Sequence, residues 1–399
     1  MRNFLAWLSI ERNGEASPKT GAYCRARARL PLKEIEGLHE ALAERLKGTS
    51  IEKACWRGRK VKVIDGSSVS MPDSPENQAR YPQPSTQKRG CGFPVMRIVA
   101  AFSLGSGTLL TLAKGALAAH ERILFHLLWD SFDVGDVVLA DRGFCSYADF
   151  YCLSQRGVDS VMRNNQRRKA GVEEVKRLGK GERLIHWKKT KVCPKWLDRE
   201  QWQNMPDTLL VREATITIDV PGFRSETIVV VTTLLDHKEY PQDALAELYR
   251  RRWMAELYLR DIKISLGMDV LRCKTPDMVE KELWMHIIAY NLIRSIMCQA
   301  ADAHGVDSQR ISFKGTTATV RQWAPLMATV ENDTGQHERM LTVMLKCIAR
   351  DPVPLRPNRI EPRAIKRRPK NHQLMTKPRP EFKEAPHRSR YKKSKTPHL

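Results

Sequence analysis

Val137-Val-Leu-Ala140 is an unbroken apolar run that leads straight into Asp141-Arg-Gly143. A strand with one wet face alternates apolar and polar side chains, so a short, wholly apolar run reads as a strand buried on both faces. Such a strand needs helices above and below it. That requirement restricts the chain to an α/β fold with this strand inside a parallel region. Its ending is equally informative, because open α/β sheets gather functional groups beyond the carboxyl ends of their parallel strands.

The flanking sequence supplies the rest of such a sheet. Val61-Lys-Val-Ile64 alternates toward Asp65-Gly66 and reads as a strand ending in a turn. After a Pro/Ser/Asn/Gln-rich loop at 71–86, residues 95–104 and 108–113 read as strands joined by a tight hairpin at Gly105-Ser-Gly107. A helix at 120–129, the apolar strand, a helix at 147–155 and a strand at 159–162 complete the order β-β-β-α-β-α-β. Stretches 183–188, 209–220 and 226–235 favour strands, and helices are expected at 33–47, 241–265, 278–303, 319–330 and 336–349.

The expected organisation is an N-terminal helical segment (1–57) and a core in two parts (58–162 and 237–304). A β-rich basic insertion (163–236) lies between the two parts, with a helical region (305–350) and a basic, Pro-rich tail (351–399) after them. The fold class is α/β, a mixed sheet flanked by helices.

Charge narrows the partner. Of the net +23, residues 163–195 contribute +9 and residues 351–399 contribute +11, which predicts a polyanion for the chain to bind. Trp187 and Trp196 lie among the cations of the insertion, and two readings stand for them: stacking on an exposed base, or packing the insertion's own core. The nine cysteines form no CxxC pair and no zinc-spaced cluster. Scattered free thiols fit a cytoplasmic setting, and the longest uncharged run, 98–113, is shorter than a membrane helix requires.

Candidate chemistry begins on the helix at 241–265. At ~100° per residue, Tyr249, Arg252, Glu256 and Lys263 fall at about 0°, −60°, −20° and −40° and share one narrow face. Asp65 and Asp141 each follow an apolar strand and precede a glycine. Carboxylates gathered at one point repel one another unless a divalent cation neutralises them, and Mg²⁺ suits such oxygens while leaving positions for phosphate. Each residue also has an ordinary reading. An Asp before Gly is a common turn-former, and Glu256 alone fits an ion pair with Arg252 or Arg260. Arg142, beside Asp141, fits phosphate contact or a structural ion pair. Asp73, Asp136 and Asp149 are rival acids, but each lies in a loop or helix rather than after an apolar strand.

Several segments resemble DDE transposases of the insertion-sequence-four type. Val-Ile-Asp65-Gly-Ser-Ser, with Met-Pro-Asp-Ser-Pro-Glu-Asn-Gln after it, is similar to the family's first acidic motif, and Ala-Asp141-Arg-Gly-Phe-Cys-Ser-Tyr to the second. Tyr249, Arg252, Glu256 and Lys263 match the Tyr-(2)-Arg-(3)-Glu-(6)-Lys spacing around the third acid. Glu361-Pro-Arg-Ala-Ile-Lys-Arg-Arg-Pro-Lys370 resembles a recurrent C-terminal element. Only 19 residues precede Thr20, where family members usually carry a longer helical region.

The resemblance implies an RNase H-like core with a β-strand insertion before the glutamate helix. It also implies that Asp65, Asp141 and Glu256 bind two Mg²⁺ ions, with Mn²⁺ able to substitute. Tyr249, Arg252 and Lys263 would hold DNA, and Arg142 would touch phosphate. The expected activity is cleavage of double-stranded DNA at transposon ends followed by strand transfer into target DNA, by a homodimer in a synaptic complex. Two alternatives remain open at this point: a nuclease using the same acids without strand transfer, and a DNA-binding remnant without catalysis.

Overall fold

The computed structural model describes residues 21–48, 55–165, 172–218 and 226–354, with Lys377, Pro378 and Glu381. The N-terminal 20 residues, Arg167 and Arg168 of the basic insertion, and most of the basic tail, including the element at 361–370, lie outside the described residues.

Two helices lead in, α1 (Gly21–Arg29) and α2 (Leu32–Gly48). Then come β1 (Val61–Ser70), α3 (Pro75–Arg80), β2 (Val95–Ser103), β3 (Leu109–Ala116), α4 (Glu121–His126), β4 (Val137–Ala140), α5 (Tyr147–Gln155) and β5 (Asp159–Arg163). β6 (Val172–Gly179), β7 (Glu182–Lys188), α6 (Arg199–Asn204), β8 (Thr208–Ile218) and β9 (Glu226–Thr232) follow. The remainder is helical: α7 (Gln242–Arg250), α8 (Trp253–Arg260), a π turn (Asp261–Ser265), α9 (Pro276–His304), α10 (Phe313–Ala328) and α11 (Thr334–Ala349). Among the described residues no helix is long and apolar enough to cross a membrane.

One nine-stranded sheet runs in the order β3-β2-β1-β4-β5-β9-β8-β7-β6. β1, β4 and β5 are parallel neighbours, while β2 and β3 form an antiparallel hairpin on the β1 side. Order 3-2-1-4-5 with those directions is the RNase H-like arrangement. The four strands β6–β9 do not form a separate layer. β9 pairs antiparallel with β5, so they extend the core sheet.

Strand β4 is buried at every position, as its composition requires. Its alternate residues feed two cores. Val61, Val63, Val137 and Leu139 pack on the side of α7, α8 and α9, whereas Ile64, Val138 and Ala140 pack on the side of α4 and α5. The β2–β3 turn closes as expected, with Gly107 at φ 72° and the Ser103 N–H donating to Thr108 O at 2.9 Å. A left-handed residue there favours glycine.

Three expectations need correction. β1 does not end at Asp65-Gly66. It continues to Ser70, because β2 pairs with it all the way to Ser70↔Val95 and residues 269–271 cover part of its other edge. β6 was missed: its polar sequence carries no strand alternation, and β7 alone holds it at the sheet edge. The helix at 241–265 is not continuous. α7 stops at Arg250, α8 restarts at Trp253, and the last turn widens to π geometry.

Candidate active site

Asp65 and Asp141 meet through register. Val63 pairs with Leu139 in the parallel β1–β4 ladder, so two residues further on Asp65 stands opposite Asp141. β4 ends at Ala140, whereas β1 continues to Ser70, so the two aspartates stand at the point where the parallel pairing stops. Side chains alternate faces along a strand, so both aspartates lie on the side of Val63 and Leu139. That is the side on which Leu245, Leu248, Tyr249, Ala255 and Tyr258 pack.

Local hydrogen bonds orient both carboxylates. The Gly66 N–H donates to Asp65 Oδ1 at 2.9 Å, and the Gly143 N–H donates to Asp141 Oδ1 at 2.8 Å. Asp141 is therefore also the turn-former of its ordinary reading. A Cβ at 143 would lie 3.0 Å from Asp141 Oδ1, close enough that the carboxylate would have to shift.

The electrostatics show which groups share the site. Burial pushes the Asp65 carboxyl up to about 6; Arg252 and the Gly66 N–H pull it down, and the negative charges of Glu256 and Asp141 push it further up. Burial likewise raises the Tyr249 phenol, with Arg252 and Arg163 opposing and Asp141 reinforcing the shift. Asp65, Asp141, Glu256, Arg252 and Tyr249 thus lie close enough to act on one another's charge.

Glu256 reaches it paired. Arg252 Nη2 lies 2.6 Å from Glu256 Oε1, four residues on, so the ion pair of the ordinary reading is present. Among the described residues no three His, Cys, Asp or Glu side chains stand close enough to hold one metal ion together. A divalent cation nonetheless fits the donor chemistry: all three candidate ligands are carboxylate oxygens, and the charges of Glu256 and Asp141 both bear on the half-buried Asp65, against the larger opposing effect of Arg252. Glu256 would join only by turning from Arg252.

Lys263 comes to the same face by a different route from that expected. The π turn changes its angular position, and its ammonium donates to Ser67 Oγ at 3.0 Å. Ser67 follows Asp65 by two residues on β1, and the supposed turn at Gly66 hid it from the sequence reading. Arg163, the first cation of the basic stretch 163–195, belongs to this site as well. Met162 pairs with Ala140, so Arg163 stands one step further on, beside Asp141. Arg142 is exposed, and among the described residues no ion pair holds it to Asp141.

The rival acids are structural. Asp136 is buried against Lys62 at 2.5 Å, Asp149 is held by His126 at 2.8 Å and Arg122 at 3.2 Å, and Asp73 accepts from Gln78 at 2.7 Å. The tryptophans are structural too. Trp187 is buried with its ring 5.2 Å from that of Phe150, and the Trp196 ring lies 3.7 Å from that of His126.

A family model described as "Transposase DDE domain" matches residues 56–292, more than half of the chain. The chain belongs to the transposase DDE-domain family. The matched span begins just before β1 and ends within α9, and it contains Asp65, Asp141 and Glu256. This DDE domain is similar to the transposase InsG of insertion sequence element IS4 from Escherichia coli K12, at 28% identity over 317 residues, covering 79% of this chain and 69% of InsG. It is also similar to the putative transposase InsZ of that strain, at 30% identity over 154 residues, covering 38% of this chain and 52% of InsZ. Among solved structures, a piggyBac transposase synaptic complex with hairpin DNA aligns at TM-score 0.37 and 9% identity, covering 74% of this chain and 58% of that one.

Proposed function

We propose that the chain is a DNA transposase that cleaves double-stranded DNA at the ends of its element and joins the freed end to target DNA. The observation that carries this reading is the convergence of Asp65 and Asp141, by strand register, on the face to which α7 and α8 bring Tyr249, Arg252 and Glu256. Asp65, Asp141 and Glu256 would hold Mg²⁺, or Mn²⁺ in its place. When bound, such ions activate an attacking oxygen and stabilise the leaving one in phosphodiester displacement.

The protein's own groups hold the DNA. Arg252 offers its guanidinium to a phosphate oxygen, with bidentate geometry that lysine lacks. Tyr249, kept protonated by burial, donates its phenolic hydrogen, and Lys263 contributes a second cation on the β1 side. Arg142 and Arg163 flank Asp141 and extend the cationic track toward the insertion. Water attacks first and leaves a 3′-hydroxyl, which then displaces the phosphodiester of the opposite strand or of target DNA in line. Two DNA ends must be held together, so a DNA-bound homodimer is the working assembly, and DNA in the cytoplasm is the site of action.

Product analysis tests the reading. Wild-type protein with Mg²⁺ and a duplex carrying the element's end yields a 3′-hydroxyl at the end and a joined product. Nicks without joined product would replace transposition by simple nuclease action. Binding with no cleavage would leave only a DNA-binding role.

A further inference from the structure

Ser67 is where β1 departs most usefully from the turn that its sequence suggests. Because the strand continues, Ser67 lies on the face of Asp65, roughly 7 Å further along at a strand's rise per residue. Lys263 Nζ donates to Ser67 Oγ at 3.0 Å. Two features bring the lysine there. The π turn Asp261–Ser265 re-aims it, and the chain beyond then docks along β1, with the Ser70 N–H donating to Asp269 O at 3.1 Å and the Leu271 N–H to Ser70 O at 2.9 Å.

Among the described residues no carboxylate comes within ion-pair distance of Lys263. Burial holds its ammonium below the ordinary lysine range, with Asp269 offsetting part of that effect. An ammonium has three N–H donors, and one neutral hydroxyl takes only one. A half-buried cation satisfied in this way is a receptor for an anion, and the hydroxyl fixes where that anion must sit.

We propose that Ser67 is a positioning residue: its hydroxyl, by accepting from the Lys263 ammonium, aims that cation at the phosphate adjoining the one held at Asp65 and Asp141. The inference rests on the DNA-cleavage reading and names the residue that positions one of its DNA contacts. The Ser67–Lys263 pair thereby sets the distance between the reacting phosphate and its neighbour.

The test is equilibrium binding of a fluorescent duplex carrying the element's end, without divalent metal, followed by anisotropy. Ser67→Ala weakens binding about threefold to tenfold, a loss within the range of one ordinary hydrogen bond. Ser67→Thr, which keeps the hydroxyl, restores binding to within about twofold. The double variant Ser67→Ala/Lys263→Ala binds no more weakly than Lys263→Ala alone, because the two residues act as a unit. Wild-type affinity in Ser67→Ala, or effects that multiply in the double variant, would overturn the proposal. Should Ser67→Ala fail to fold, Ser67→Cys carries the same comparison. A scrambled duplex of equal length separates the two readings: equal wild-type affinity for both duplexes counts against end recognition, while the Ser67–Lys263 coupling is still read on either.

Discussion

Asp65 holds a carboxyl group whose surroundings oppose its ionisation, since burial outweighs Arg252 and raises it to about 6. Between about pH 4 and 6 the folded chain therefore binds more protons at this position than the unfolded chain. The stability gained by that protonation is fully present below the unfolded value and lost as pH rises through 6. Asp65→Asn removes the loss. Without divalent metal it should melt higher than wild type at pH 7.5, by an amount on the order of 2 kcal/mol, and nearly level with wild type at pH 4. A melting difference independent of pH would refute this electrostatic account. Gly143 gives a second test, because a methyl group there presses on the carboxylate of Asp141. Gly143→Ala should keep the fold and DNA binding while slowing cleavage about tenfold or more, as small misplacements of reacting groups do. Neither effect was legible in the sequence, which shows that an acid precedes a glycine but not which atoms the glycine leaves room for.

Elements differ in how openly the sequence states them. β4 and α5 are legible because burial dictates their composition: four apolar residues in one, and in the other a Ser146 cap whose hydroxyl accepts from the Asp149 N–H. β1 is legible only to Ile64. Beyond it, Gly-Ser-Ser is turn-forming locally, and strand geometry is imposed by pairing with β2. The π turn has no sequence signature at all, since it arises from how residues 261–271 must pack against β1. Trp187, for which base stacking and core packing were both open, is buried in the core. Trp187→Ala should destabilise the fold by roughly 3–5 kcal/mol, as loss of a buried aromatic does, and leave the DNA affinity of the folded protein within about twofold. Thermal melts and anisotropy check both parts. A large loss of affinity with unchanged stability would return Trp187 to the DNA surface.

At the scale of the whole molecule, the sheet explains how acids 76 and 115 residues apart come together. Parallel β1 and β4 bring Asp65 and Asp141 level, and strands β6–β9 occupy the long interval before α7 without disturbing that register, because they add to the free edge of β5. The chain order of the elements was legible from their alternation, whereas the joining of the insertion to the core sheet was not, since pairing between distant strands leaves no local trace. Most of the net charge falls in two stretches, so duplex binding should weaken steeply with salt. The central claim is that Asp65, Asp141 and Glu256 together carry DNA cleavage. Its most direct test is end cleavage with Mg²⁺ by wild type and by Asp65→Ala, Asp141→Ala and Glu256→Ala, with DNA binding measured in parallel. Each variant should lose cleavage by a factor of about a thousand or more while still binding the duplex, a loss on the scale of about 4 kcal/mol in the barrier. Cleavage at the wild-type rate in any one of them would contradict the claim.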